Sequence, residues 1–143
     1  MSSLFDLKGR VAIVTGCSTG LGVQMAKALA ANGAKIVAIA RRQELIDAVA
    51  KEISDTYKVE TLALRCDITD TKMVDETVKA VLAKFGRIDI LVNNAGTGAV
   101  APAEDITDDQ FNGEMNVDLF GTFRVARAVA KQAMIPEIGR AHV

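Results

Sequence analysis

One short stretch constrains this chain more than any other. An apolar run, Val11–Gly16 (VAIVTG), passes straight into Cys17-Ser18-Thr19-Gly20-Leu21-Gly22 and then into a run of helix formers. A short apolar run closed by glycine reads as a buried strand. Leu21–Asn32 reads as a helix, with Val23, Ala26 and Ala30 on its apolar side and a stop at Asn32-Gly33. A strand, a glycine-rich turn and a helix in that order begin a βαβ unit.

The pattern then repeats. Lys35–Ala40 (KIVAIA) is a second apolar strand. Gln43–Tyr57 is a helix with Leu45, Val49 and Ile53 on one face, and Thr61–Asp67 (TLALRCD) is a third strand. Thr71–Phe85 places Val74, Val78, Val81, Leu82 and Phe85 along one helical stripe, and Gly86 ends it. Ile88–Val92 is a fourth strand. After a small-residue loop, Thr107 and Gln110 have capping-box spacing, and a long helix carrying Phe120, Phe123, Val125 and Val129 runs to about Met134. Strands this uniformly apolar belong to a parallel sheet covered on both faces. Right-handed crossovers make it a Rossmann-like, doubly wound α/β sheet in the order 3-2-1-4, truncated after about four strands and the following long helix. Residues 1–138 form this incomplete domain, and residues 139–143 (GRAHV) an atypical tail.

The first turn has the chemistry of a phosphate cradle. Gly16 lets the chain leave the strand sharply, Gly20 lets the backbone approach a pyrophosphate, and Gly22 lets the first helix pack against the sheet. The helix N-terminus then presents N–H groups to an anion, with Leu21 in its first turn, and Ser18 and Thr19 add hydroxyl donors. The expected ligand is a dinucleotide. At the end of strand two an acid would hold a ribose 2′-hydroxyl, whereas arginine suits a 2′-phosphate. The chain has Arg41 and Arg42 there and no acid at Ile39 or Ala40, so NADP is the expected cofactor, with NAD the alternative.

Composition excludes several other roles. The 143 residues carry 17 basic and 18 acidic side chains, interspersed, for a net charge of −1. No concentrated basic face is available for nucleic acid. No apolar stretch approaches the ~20 residues of a membrane span, and the N-terminus has no signal-like core. Cys17 and Cys66 lack metal-ligand spacing and read as reduced core residues. His142 is the sole histidine, so no metal site is expected. These features point to a cytoplasmic protein.

From about Leu7 to Met134 the chain resembles the short-chain dehydrogenase/reductase family. The match rests on TGCSTGLG (Thr15–Gly22), CDITD (Cys66–Asp70) and NNAG (Asn93–Gly96). The opening phrase LFDLKGRVAIVTG is also similar to the gluconate 5-dehydrogenase branch. The resemblance implies an NAD(P)-dependent oxidoreductase acting on a small alcohol or carbonyl substrate, in a family whose members are usually homo-oligomers. It implies that Asp67 and Ile68 flank the adenine ring, with capping of the following turn as Asp67's alternative role. It places Asn94, Ala95 and Gly96 beside the cofactor ribose. Where the family has an Asn three residues before a Gly, this chain has Asp118 before Gly121, and its backbone carbonyl could still serve the family's proton relay. The family's Ser and its Tyr and Lys four residues apart have no counterpart here. The sole tyrosine, Tyr57, is followed four residues on by Thr61. The resemblance therefore implies the cofactor-binding part of an enzyme, inactive by itself, against the alternative of a non-catalytic nucleotide-binding fragment or inert truncation product.

Overall fold

A computed structural model describes residues 4–138; the tail 139–143 and its His142 lie outside the described residues. Four strands, β1 (Val11–Thr15), β2 (Lys35–Ala40), β3 (Thr61–Arg65) and β4 (Ile90–Val92), form one parallel sheet in the order β3-β2-β1-β4. Between them run α1 (Gly20–Ala31), α2 (Gln43–Tyr57) and α3 (Thr71–Phe85). The expected fold class and strand order are both present.

The two faces of the sheet carry separate cores. Ala12, Val14, Ile36 and Ala38 pack with Val23, Ala26 and Ala30 of α1 and with Ile46, Val49 and Ile53 of α2. Val49 and Ile53 face inward as the sequence pattern suggests, but in the first turn of α2 it is Ile46 that is fully buried, with Leu45 half-buried beside it. On the other face Val11, Ile13, Val37 and Ile39 meet Val74, Val78 and Val81 of α3 together with Val125 and Val129.

Three strand ends differ from the sequence expectation, and α1 begins and ends one residue earlier than expected. β1 stops at Thr15 because Gly16, at φ +64°, has left the extended region. β3 stops at Arg65, and Asp67 begins a turn in which its side chain takes the Thr69 N–H. β4 starts at Ile90: Ile88 is buried, but Asp89 turns its carboxylate back onto the Val11 N–H at 2.9 Å.

The long helix exists but is not uniform. It runs through α4 (Asp108–Met115), a π-helical turn (Asn116–Gly121), α5 (Thr122–Val129), a second π turn (Ala130–Met134) and α6 (Ile135–Ile138). Its start has the expected capping box: Thr107 Oγ1 accepts from Gln110 N, and Gln110 Oε1 accepts from Thr107 N. Val125 and Val129 face the core, whereas Phe120 and Phe123 are exposed. No helix among the described residues is long and apolar enough to cross a membrane.

Candidate functional site

At the C-terminal ends of the strands lies a cleft of about 570 Å³. Ligands of open parallel sheets bind at this end, where the strand order reverses. Ten of the residues singled out from sequence line it: Gly16, Ser18, Thr19, Arg41, Arg42, Asp67, Ile68, Asn94, Ala95 and Gly96. Gly20, Leu21 and Gly22 lead from its rim into α1, and Asp118 lies behind the Gly96 wall.

The three glycines of the first turn do different work. A Cβ on Gly16 would stand 2.9 Å from Ala95 Cα, and one on Gly22 would stand 2.4 Å from Gly16 O and 2.6 Å from the Asn94 side chain. Both close approaches are internal to the protein. Gly22 thus admits Asn94 as well as a tightly packed helix. Gly20 has φ +63° and open space where its Cβ would be. The first turn of α1 carries no acidic side chain, and Thr19 at its N-cap makes no side-chain cap. Its N–H groups and positive dipole end are left free for an anion.

Asn94 and Thr15 bind the turn to β4. Asn94 Nδ2 donates to the carbonyls of Thr15 and Gly16, each at 3.3 Å, and the N–H groups of Asn94 and Ala95 both donate to Thr15 Oγ1 at 3.0 Å. Thr15 was not among the expected site residues; a hydroxyl ending an otherwise apolar strand was the signal. Cys17 is buried beneath the turn, its N–H on Ile39 O and its thiol directed at Gly22 O. Burial pushes that thiol up to about 11, so it stays protonated and acts as packing.

On the far side of the cleft, Arg41 and Arg42 are exposed at the start of α2, and neither makes a salt bridge with any described residue. Asp67 Oδ1 accepts from Thr69 N at 3.0 Å and Thr69 Oγ1 at 2.7 Å. Those two bonds, with the charges of Arg41 and Arg65, hold its carboxyl below the usual range. One Asp67 oxygen is therefore engaged in capping its own turn. Asp118 sits in the first π turn, and its carboxylate accepts the Thr97 N–H at 2.8 Å, fastening the loop after β4. Nearby, Ala99 N donates to Glu114 Oε1. No group of three His, Cys, Asp or Glu side chains among the described residues could hold a metal.

The family model described as short chain dehydrogenase matches residues 10–141. A D-threitol dehydrogenase of Mycolicibacterium smegmatis is 38% identical over 130 residues, covering 91% of this chain and 50% of the relative. An NADP-dependent mannitol dehydrogenase of Alternaria alternata is 38% identical over 132 residues, covering 90% and 50%. The similarity to a gluconate branch has its counterpart in a 2-dehydro-3-deoxy-D-gluconate 5-dehydrogenase of Pseudoalteromonas atlantica, 34% identical over 144 residues, covering 98% and 55%. Among solved structures, NAD+-bound xylitol dehydrogenase superposes with a TM-score of 0.87 at 34% identity, over 92% of this chain and 50% of that one. The chain spans about half the length of the curated relatives it matches.

Proposed function

The chain belongs to the short-chain dehydrogenase family, and from that premise we propose that it is the cofactor-binding part of an NAD(P)-dependent oxidoreductase that prefers NADP. The substrate class is a small alcohol or the matching carbonyl compound. The observation that carries the reading is the pairing of an open, acid-free helix N-terminus at Gly20 with Arg41 and Arg42, which no described carboxylate neutralises by a salt bridge.

The residues divide the ligand between them. Ser18, Thr19, Gly20, Leu21 and Gly22 would receive the pyrophosphate, and the two arginines a ribose 2′-phosphate. Asp67, through its remaining oxygen, and Ile68 would border the adenine, and Asn94, Ala95 and Gly96 the second ribose. When bound, the nicotinamide supplies the hydride donor or acceptor. Asp118 would act by holding the Thr97 loop at the nicotinamide end. Residues 1–138 make up the binding unit. The free, buried cysteines and the mixed surface charge favour a cytoplasmic setting.

These 143 residues include no tyrosine with a lysine four residues on, so they lack the positioned proton donor that is typically worth ~10²–10⁴-fold. By themselves they bind the dinucleotide and turn over no alcohol. The test is a calorimetric titration with NADP and NAD, alongside an absorbance assay with polyols. The reading expects tighter NADP binding and no turnover. Arg41→Asp should move the preference toward NAD by roughly ten- to a hundredfold, the worth of a charge-assisted contact of about 1.5–3 kcal/mol. Equal or tighter NAD binding by the unaltered protein would contradict the NADP preference, and turnover would contradict the division of labour.

A further inference from the structure

We propose that Arg65, at the end of β3, is a positioning residue for dinucleotide preference: with Gln43 it fastens the Arg41–Arg42 turn to the sheet so that both guanidinium groups are presented from a fixed backbone. This rests on the NADP reading and adds the device that makes those two arginines selective.

The geometry is specific to this corner. Arg65 stands beside Ala40 in the parallel register, where β2 ends and the arginine turn begins. Its Nε donates to the Arg41 carbonyl at 3.1 Å. Its own N–H donates to Gln43 Oε1 at 3.0 Å, while Gln43 Nε2 donates to Ala63 O at 3.3 Å. The turn is therefore tied to β3 at both ends, at residue 41 by the Arg65 side chain and at residue 43 by the glutamine amide. Arg42 lies between these ties in an extended conformation, as the N-cap of α2, with no side-chain cap of its own.

Arg65 does not line the cleft, so its effect passes through Arg41. Two exposed arginines on a loose turn lose rotamer and backbone freedom when they close on a phosphate, and a turn held in advance loses less. The Arg65 guanidinium also adds positive charge to a corner that contains the Asp67 carboxylate, which would otherwise oppose a phosphate.

The readout is the ratio of NAD to NADP dissociation constants, measured by calorimetry on the intact protein, the Arg65→Met variant and the Arg65→Lys variant, with melting temperatures alongside. For Arg65→Met the expected result is a roughly three- to tenfold loss of NADP affinity, the scale of one exposed charge-assisted hydrogen bond, with NAD affinity unchanged. Arg65→Lys keeps the charge without the Nε donor and should fall between. A residue that merely supports the fold would weaken both dinucleotides equally and leave the ratio unmoved, which would overturn the proposal. If the unaltered protein has a ratio near one, the NADP reading fails and the proposal with it. If that ratio is high and Arg65→Met leaves it unchanged, only the role of Arg65 fails.

Discussion

β1 and β4 are neighbouring parallel strands of similar composition, yet they live in different environments. All five residues of β1, VAIVT, are buried, while all three of β4, ILV, are only partly so. β1 has β2 on one side and β4 on the other, with helices over both faces, whereas β4 is hydrogen-bonded on one side only. The same contrast extends to the helices. On the opposite face from α1 and α2, the long helix packed against α3 buries Val125, Ala128 and Val129 but exposes Leu119, Phe120, Phe123, Ile135 and Ile138. An apolar sequence tells that a strand is to be buried; its neighbours decide whether it is.

The largest test of this contrast uses register partners. Ile13 in β1 lies opposite Leu91 in β4. Ile13 is fully buried, so Ile13→Ala should cost ~2–5 kcal/mol. Leu91→Ala, at a half-buried position, should cost less than half as much. Chemical denaturation of both variants checks this, and equal costs would erase the distinction between the strands.

A smaller loss is expected where the two strands are joined. Thr15→Val keeps the shape but removes the hydroxyl that accepts the Asn94 and Ala95 N–H groups. Two donors left unsatisfied in a partly buried site cost about 1–3 kcal/mol. The loop after β4 should also lose amide-exchange protection, readable residue by residue, while β2 keeps its own.

The acid limb of stability gives a third, smaller effect. Burial by itself pushes the Asp89 carboxyl up, but the Arg87 guanidinium and the Val11 N–H, with Arg10 beside them, outweigh it and hold the group below its ordinary 3.8. A carboxyl whose folded pKa is depressed stabilises the fold above the unfolded value and loses that contribution as pH falls through the folded one. Melting temperature should therefore decline below about pH 4, and Asp89→Asn should flatten that decline while lowering the plateau at neutral pH.

The exposed helix face should respond least in stability and most in association. Phe120→Glu with Phe123→Glu changes two exposed side chains at the cost of the Arg127 guanidinium contact over the Phe123 ring, so unfolding free energy should change by no more than about 1 kcal/mol. Any self-association through this apolar surface should fall, which sedimentation would show.

The regular part of this fold was legible in the sequence because its signals are local. β2, α2 and α3 fall within the bounds that apolar periodicity set, and the capping box at Thr107 formed as spelled. The glycine turn was legible because only glycine meets the internal demands at Gly16 and Gly22. What escaped was non-local. Thr15 gained its role from N–H groups about eighty positions away. Phe120 and Phe123 point outward because Gly121, Val125 and Val129 take the inward face, a choice that depends on packing against distant elements. Of the two roles the sequence held open for Asp67, the folded turn displays the capping one, with Oδ1 accepting from both the N–H and the hydroxyl of Thr69.

On the proposed function the first turn is built around a ligand and not only around itself, and Gly20 separates the two. Gly16 and Gly22 are required by atoms of the protein, whereas a Cβ at Gly20 would have no described neighbour within 4 Å. The direct measurement is a calorimetric NADP titration of the unaltered protein and of Gly20→Val, with thermal melts of both. Valine at φ +63° strains the turn by ~1–2 kcal/mol, so the variant should melt lower yet still cooperatively. The account predicts that it stays folded and binds NADP at least tenfold more weakly. A folded Gly20→Val that binds NADP as tightly as the unaltered protein would contradict it.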